Sequence, residues 1–400
     1  ETQFVQKQAT IRTGDFPGEL QITSDGTRLF APIRGTNSYL LWLEIKDLEN
    51  GRVDLQCNSD SQTGCGSVDP GVDCPEWHCD EYHQVDYSDR LQSELPAEPF
   101  GILLHELVAV HVQGNGSRKT CRDGVSQVPC DCGSAPQCMF PDDGQALSDC
   151  CIEAPQGDHI YVAHLLGGEV SYFNSTVGGV ELRDFKGGLF ATNAKVKGGF
   201  SIVPSLPGDA RSPVFVSSRS DSSLASFVIR DDERIIDAGS TWISVVSPGN
   251  DVRGIAFSPG GDRLYVVDRL PPVLVAMDMT DEGGTPRRDP LWAVELCAEP
   301  SLLRLAQDPI HPDDPTALLA YVVCYGEAQV YVIDTTLGDV VAHIFTGKGP
   351  HAFVLDEPNQ RAFVANFLDN TVGVIDLNPS HRTYQTMVLR IGLPTKLERE

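Results

Sequence analysis

Possible metal ligands are concentrated between Asp73 and His83, in the segment DCPEWHCDEYH. They are Asp73, Glu76, His78, Asp80 and His83. Imidazole nitrogens and carboxylate oxygens bind transition metals or calcium, and the aspartate-rich surroundings favour calcium. No DxDxDG loop occurs, and acidic loops are commonly only solvated. The segment therefore predicts either a weak metal site or a surface module held by disulfides.

A second set of candidate residues lies at the ends of short apolar runs. It comprises Arg34, His164, Arg219, Arg253, Asp268, Arg269, His351 and Asn366. Guanidinium groups offer a planar fork of donors that fits carboxylates and phosphates. These residues are interpreted as a ligand-binding funnel, and the alternative is that each arginine pairs with a neighbouring Asp or Glu.

Sequence motifs of several large enzyme classes are missing. The chain contains no GxSxG, HExxH, Walker A or Rossmann glycine motif. His105, Glu106 and His111 form HELVAVH, which is two residues too long for HExxH. No catalytic residue is therefore assigned from sequence motifs.

The elements that must position these residues are short strands in a repeated unit. Residues 251–279, 300–334 and 350–377 each read as an apolar strand, a polar turn, a second strand and a third strand ending near Asp. The same order occurs at 17–45 and 198–229, and in degraded form at 99–113 and 151–173. The strands are rich in β-branched and aromatic residues and are separated by Gly, Pro, Asp and Asn.

The repeat predicts an all-β fold, a seven-bladed β-propeller of four-stranded blades. Units beginning near residues 17, 99, 148, 198, 251, 300 and 350 are mostly separated by about 50 residues. The whole chain, 1–400, is then one propeller with Cys-rich insertions held by disulfides. Residues 46–97 are predicted to be inserted between blades 1 and 2, and residues 114–147 to replace the outer strands of blade 2. Residues 4–11 and 384–391 compete for the outer strand of the last blade.

The units resemble the YVTN-type β-propeller repeat family. The resemblance rests on LYVVD at 264–268, AFVAN at 362–366 and IYVAH at 160–164, each followed by a strand such as VGVID at 372–376. It implies a propeller of a kind often exported by bacteria or archaea to bind partners. Related propellers occur as lactonases and as domains of periplasmic redox enzymes, so the resemblance does not choose among functions.

The repeat also predicts where the candidate residues meet. The second strands end at Ile33, Val112, His164, Ser218, Asp268, Cys324 and Asn366. In an antiparallel blade these ends lie on the same face as the starts of the innermost strands, near Arg253 and His351. The candidate residues are therefore expected around one mouth of the central funnel.

The cysteines indicate an oxidising compartment. Ten of the 12 cysteines are clustered: Cys57, Cys65, Cys74, Cys79, Cys121, Cys130, Cys132, Cys138, Cys150 and Cys151. Their even number and the absence of paired CxxC motifs favour disulfides over zinc. The other two, Cys297 and Cys324, should reach the same rim of one blade and form a disulfide. The location predicted is extracytoplasmic, in the periplasm, on the outer surface or secreted. Any signal peptide or lipid anchor would precede Glu1.

Charge and composition exclude several function classes. A formal net charge of −26 argues against a nucleic-acid partner, since phosphate contacts need clustered Lys and Arg. No apolar run reaches the roughly 20 residues of a membrane-spanning helix. The leading hypothesis is a non-enzymatic exported propeller that binds or assembles other proteins through its Cys-rich lobe. The alternative is a propeller enzyme, a metal-dependent lactonase-like hydrolase or periplasmic redox component, that uses the central funnel. Apart from the possible calcium, no cofactor is implied.

Overall fold

The protein is described here from a computed structural model. It describes residues 16–35, 37–48, 52–57, 81–108, 110–112, 118–120, 151–153, 157–187, 198–219, 223–242, 250–280 and 287–392. Within these ranges the chain is almost entirely β-structure, and the helices are single 3-10 turns. They are Glu81–His83, Tyr325–Glu327, Glu357–Asn359 and Phe367–Asp369. None of the described helices has the length and apolarity needed to cross a membrane.

The first blade is built from residues near the start of the described chain. Its strands, from the centre outwards, are β1 (Gln21–Ile22), β2 (Arg28–Ile33), β3 (Tyr39–Leu48) and β4 (Arg52–Gln56). The connection to blade 2 contributes β5 (Gln84–Val85), which pairs with β3, and a small hairpin of β6 (Tyr87–Ser88) and β7 (Ser93–Glu94).

The second blade contains a long excursion between its first two strands. The innermost strand is β8 (Pro99–His105). A separate three-stranded sheet follows, made of β9 (Val110–Val112), β10 (Arg118–Thr120) and β11 (Cys151–Glu153). The blade then resumes with β12 (Asp158–His164), β13 (Val170–Thr176) and β14 (Gly179–Lys186).

The remaining blades are regular four-stranded antiparallel sheets in chain order. Blade 3 consists of β15 (Gly199–Pro204), β16 (Val214–Ser218), β17 (Ser223–Ile229) and β18 (Ile235–Trp242). Blade 4 consists of β19 (Asn250–Phe257), β20 (Arg263–Leu270), β21 (Pro272–Asp278) and β22 (Asp289–Glu295). Blade 5 consists of β23 (Pro300–Gln307), β24 (Leu318–Cys324), β25 (Gln329–Asp334) and β26 (Asp339–Phe345). Blade 6 consists of β27 (Pro350–Asp356), β28 (Arg361–Asn366), β29 (Thr371–Asp376) and β30 (Thr386–Ile391).

The hydrophobic core lies between the blades. A single twisted sheet cannot cover both of its apolar faces, so each blade buries one face against the next. The ring of Tyr161 in blade 2 contacts Phe227 in blade 3, and that of Tyr321 in blade 5 stacks on Phe353 in blade 6. All four side chains are almost fully buried. Each such burial stabilises the fold by about 1.5–3 kcal/mol.

The prediction of a propeller with four-stranded blades is confirmed, but the described residues form six blades, so the prediction of seven was wrong. The units expected at 99–113 and 151–173 belong to one blade, because β8 pairs with β12 rather than with β9. His105 lies opposite His159 across 53 intervening residues. The sequence shows two adjacent apolar runs at 99–112, and these suggested a local hairpin that does not form.

The described strands overlap parts of the predicted Cys-rich segments. Residues 46–56 are not inserted between blades, since Tyr39–Leu48 and Arg52–Gln56 are the outer strands of blade 1. The segment 114–147 does not replace outer strands of blade 2, which are Val170–Thr176 and Gly179–Lys186. It falls between the first and second strands of that blade. Most of its residues lie outside the described ranges.

The C-terminal segment completes blade 6. Thr386–Ile391 pairs with Thr371–Asp376 and occupies the outermost position. Of the two segments predicted to compete for that position, 384–391 therefore takes it. Residues 4–11 lie outside the described residues.

The predicted disulfide between Cys297 and Cys324 is confirmed. Their Cα atoms are 5.7 Å apart. Cys324 ends β24, and Cys297 precedes the strand that pairs with it, as the repeat alignment requires. Cys57 is also disulfide-bonded, and none of the described cysteines is free. Apart from Cys57 and Cys151, the clustered cysteines lie outside the described residues.

Candidate functional site

One residue at or near the end of each second strand has an equivalent position in all six blades. It lies opposite a residue near the start of the innermost strand, as in the pairs Val252 with Asp268 and Pro350 with Asn366, or, in blade 1, opposite Pro17 in an isolated bridge. The six end residues are Ile33, His164, Ser218, Asp268, Cys324 and Asn366. This is the equivalence that the sequence predicted, apart from Val112, which belongs to the separate three-stranded sheet.

The side chains of these end residues are buried inside the blades. His164 donates from Nδ1 to the carbonyl of Ala97 at 3.0 Å, and its Nε2 lies 2.9 Å from Ser171 Oγ. Burial lowers the pKa of His164 to about 4, so the imidazole is neutral at pH 7. Nε2 then accepts the hydroxyl proton of Ser171.

Asp268 and Asn366 are held in a similar way. Asp268 Oδ1 accepts a hydrogen bond from the backbone N–H of Leu270, and Asn366 Oδ1 accepts one from Gly347. Asn366 Nδ2 donates to Thr371 Oγ1 at 3.1 Å. His164, Asp268 and Asn366 therefore fix the blade ends and do not line the mouth as open ligands.

The end residues lie at one mouth of the central funnel, and the residue that follows each of them lies at the same mouth. At three blades this residue is an arginine that pairs with an acid of the next blade. The ion pairs are Arg34 with Glu98 at 3.8 Å, Arg219 with Asp251 at 3.9 Å and Arg269 with Glu299 at 2.8 Å. All three acids have left-handed backbone angles, with φ of 56°, 81° and 56°. The alternative interpretation of the arginines, as partners of acids between blades, thus describes these contacts.

Three of the arginines meet at a single carboxylate. Arg253 contacts Asp251 at 2.5 Å through Nε and donates to it at 2.7 Å through Nη2. Arg219 and Arg269 each lie 3.9 Å from the same carboxylate, beyond hydrogen-bond distance. We call Arg219, Arg253, Arg269, Asp251 and Glu299 the arginine cluster. With three cations and two carboxylates it carries a net positive charge.

The innermost strands of blades 2 to 6, which surround the propeller axis, each contain a β-bulge near their start. The pairing register shifts directly after the residue that lies opposite the end residue of the second strand. The residues that follow it are Phe100, Phe200, Arg253, Ser301 and His351. Bulges redirect side chains because one strand carries an extra residue. The sequence analysis missed Phe100, Phe200 and Ser301, although each follows a Pro or Gly that begins its unit.

The axial residues contact one another across the blades. The rings of Phe100 and Phe200 are 5.4 Å apart, and the guanidinium of Arg253 lies 4.8 Å from the Phe200 ring. Phe200 also belongs to the core cluster of Leu302 and Phe353, which come from blades 5 and 6. Phe200 of blade 3 therefore packs with residues of blades 5 and 6 and also contacts Arg253 of the arginine cluster.

His351 supplies a titratable group beside the arginine cluster. Burial within the propeller, and then the charge of Arg253, lower the pKa of the imidazole below its usual 6.5. The side chain is nevertheless exposed to solvent at the mouth. At neutral pH it is therefore an uncharged, accessible base.

A second pair of charged groups belongs to blades 1 and 5. Burial raises the pKa of Glu19, which is opposed by the nearby Arg304 guanidinium and by a hydrogen bond from the Ile102 backbone. The sequence analysis did not select Glu19, because it stands between two turns and ends no apolar run. The pair adds two charged groups that are not members of the arginine cluster.

The predicted metal site is described only at its last residue. His83 is buried and its ring stacks at 4.4 Å on Trp42. Asp73, Glu76, His78 and Asp80 lie outside the described residues. Among the residues that are described, no group of three or more His, Cys, Asp or Glu is arranged to hold a metal ion.

The fold and this mouth define a β-propeller protein with arginines around one end of its axis. No family model matches the chain. No curated protein matches it significantly. A proposed 6-phosphogluconolactonase from Bacteroides uniformis is similar in structure, with a TM-score of 0.58 and 14% identity, covering 97% of this chain and 89% of that one. The periplasmic gluconolactonase of Pseudomonas aeruginosa has a TM-score of 0.55 and 13% identity, covering 95% and 87%. At these identities the similarity shows the fold alone.

Proposed function

We propose that this protein is an extracytoplasmic propeller hydrolase that opens lactones at its arginine-lined mouth. The observation that carries the proposal is the convergence of Arg219, Arg253 and Arg269 on Asp251, with the neutral imidazole of His351 beside Arg253. Both groups that lactone opening requires, a base and a cationic group for the oxyanion, are thus close together.

Two further observations support the proposal. The names of two structurally similar propellers describe them as lactonases, and one of these as periplasmic. The disulfide between Cys297 and Cys324 suits an oxidising compartment. Together they favour an enzyme at the central funnel over a binding module without enzymatic activity.

The chemistry assigned to the mouth is general-base hydrolysis. Neutral His351 removes a proton from water, whose oxygen forms a bond to the lactone carbonyl carbon. A guanidinium of the arginine cluster stabilises the resulting oxyanion, since it presents fixed donors in a partly desolvated site. The carbonyl is restored as the ring C–O bond breaks. The imidazolium returns the proton to the leaving oxygen, and the product is a hydroxy acid.

A metal ion does not fit the described residues of this mouth. Asp251 is surrounded by three guanidiniums, which would repel a cation bound to its carboxylate. The oxygen atoms of Asn366 and Asp268 that accept backbone hydrogen bonds are buried. No step of the proposed reaction is therefore assigned to a metal, and the metal-dependent form of the lactonase hypothesis is not carried forward.

The test is a lactone-hydrolysis assay with proton release followed at constant pH. We expect the wild-type protein to open at least one of a set of aliphatic, sugar and aromatic lactones. Substituting His351→Ala should slow this reaction by about 10²- to 10⁴-fold, the usual effect of losing a general base. Substituting His343→Ala is the matched control, because His343 lies on the outermost strand of blade 5.

Two outcomes would contradict the proposal. One is that the folded wild-type protein opens no lactone faster than buffer does. The other is that the His351 and His343 variants retain equal activity. Anion binding at the mouth without turnover would instead support a binding module.

A further inference from the structure

We propose that the mouth selects carboxylates that carry an apolar ring. This inference rests on the proposed function for its location, but it concerns binding and not turnover. The geometry that points to it is that two exposed aromatic side chains, Phe367 and Phe16, are connected to Arg253 through intervening residues. The arginine cluster recognises the carboxylate, and the aromatic side chains receive the ring.

The first aromatic connection runs through blade 6. The ring of Phe367 lies 6.4 Å from that of His351, which stands close enough to Arg253 for its pKa to be lowered by that charge. Phe367 is 67% exposed, although it begins a helical turn held to Gly349 by a backbone hydrogen bond of 2.9 Å. Leu368 beside it is 51% exposed. Blade 6 therefore presents a fixed apolar surface next to the base.

The second connection is a series of alternating rings and guanidiniums from blade 1 to blade 4. The guanidinium of Arg34 lies 5.9 Å from the ring of Phe16 and 5.3 Å from that of Phe100. The ring of Phe100 contacts that of Phe200, and the guanidinium of Arg253 lies over the Phe200 ring. Phe16, at the outer end, is 68% exposed. Cation–π contacts favour this arrangement of the rings, which reduces the ordering that a ligand must impose.

The polar groups near the mouth do not match a ligand rich in hydroxyls. A sugar needs several neutral donors and acceptors, but His164 and Asn366 make their hydrogen bonds within the blades. Beside the single imidazole of His351, the mouth offers guanidinium groups and aromatic faces to solvent. An anion with an apolar ring uses both surfaces, whereas a phosphorylated sugar uses only the first.

Isothermal titration with three small probes tests this assignment. The probes are phenylacetate, acetate and inorganic phosphate, applied to the full-length protein at fixed pH and ionic strength. We expect phenylacetate to bind about tenfold more tightly than acetate, since a ring packed on aromatic side chains adds roughly one decade of affinity. Phosphate, which lacks a ring, should bind less tightly than phenylacetate.

Three variants separate the two surfaces. Phe367→Ser should remove most of the preference for phenylacetate and leave acetate binding unchanged. Phe345→Ser is the matched control, because Phe345 is 70% exposed on the outermost strand of blade 5. Arg219→Gln, at a partly exposed guanidinium, should weaken all three probes by a similar factor of about five.

The outcomes distinguish this inference from the proposed activity. Phosphate binding more tightly than phenylacetate, equal effects of the two Phe→Ser variants, or no binding of any probe would overturn the inference. A ring preference in a protein that opens no lactone would overturn only the proposed hydrolase. Hydrolysis of sugar lactones without a ring preference would overturn only the substrate class.

Discussion

At the scale of single residues, Asp251 organises the mouth. Its left-handed φ of 81° is uncommon for a residue with a side chain and favours Asn, Asp and Gly. This conformation turns the carboxylate towards Arg253 of its own blade and Arg219 of the preceding blade. One aspartate therefore neutralises part of the arginine cluster and leaves the rest of its charge for a ligand.

His351 should give the proposed reaction a characteristic pH dependence. Its pKa in the folded protein is lowered, so the imidazole is protonated only when the pH falls below that lowered value. The rate should therefore be constant near neutral pH and decline in acid, with its inflection below 6.5. The measurement is kcat/KM for lactone opening between pH 4 and pH 8.

Arginine substitution gives the control for this profile. In Arg253→Gln the repulsion between the guanidinium and the imidazolium is lost, so the inflection should move upwards, towards 6.5. If the wild-type rate instead rises through the range above pH 7, His351 is not the base.

At the scale of elements, glycines allow the innermost strands to approach one another. A Cβ atom on Gly101 of blade 2 would lie 2.1 Å from the backbone oxygen of Phe200 in blade 3. Gly18 faces Phe100 of blade 2 in the same way, and Gly254 faces Ser301 and Leu303 of blade 5. These approaches bring the axial bulges into contact.

Substituting Gly101→Ala should destabilise the propeller. The added methyl group meets backbone, which can move only by separating blades 2 and 3. We expect the free energy of unfolding to fall by about 1–3 kcal/mol, as for overpacking elsewhere. The midpoint of guanidinium unfolding measures this change. Gly178→Ala is the control, because its nearest neighbour, Thr176 Oγ1, is 3.6 Å away. Equal midpoints for the two variants would show that the blades have room to adjust.

The sequence was enough to predict the strands, but it was not enough to predict which strands pair with one another. The repeat predicted the common level of the strand ends and the disulfide between Cys297 and Cys324, because both follow from local spacing. The repeat could not predict that β8 pairs with β12 instead of with β9, the next strand along the chain. A long loop adds little closure entropy relative to a short one, so chain distance does not exclude a remote partner. The bulges that select Phe100 and Phe200 also leave no mark in hydrophobic periodicity.

At the scale of the whole molecule, charge is distributed unevenly. The chain carries a formal net charge of −26, yet the arginine cluster is positive. An anionic ligand is thus repelled by most of the surface and attracted at one mouth. Raising ionic strength weakens both effects, but the short-range contacts to partly buried guanidiniums are screened least.

The six-blade topology makes a direct prediction about the excursion from blade 2. Because His105 lies opposite His159 in adjacent antiparallel strands, a short turn can connect them. Replacing residues 107–156 by Asn-Gly should therefore preserve all six blades and the binding of phenylacetate at the mouth. Circular dichroism and one cooperative unfolding transition report the fold, and titration reports the mouth.

The same replacement discriminates between six blades and seven. In a seven-bladed ring, residues 107–156 would include strands of two blades, and their removal would break the ring. The control is a second variant in which Asn-Gly replaces residues 308–317, the turn between β23 and β24 of blade 5. It measures the effect of shortening a loop at the same place in a blade. Loss of cooperative unfolding in the blade 2 variant, with the blade 5 variant intact, would contradict the six-blade topology.

The hydrogen bonds from Leu107 to Asp158 and from Val108 to Gly208 are lost in the blade 2 variant. A reduction of about 1–3 kcal/mol in the free energy of unfolding is therefore expected even when the topology holds.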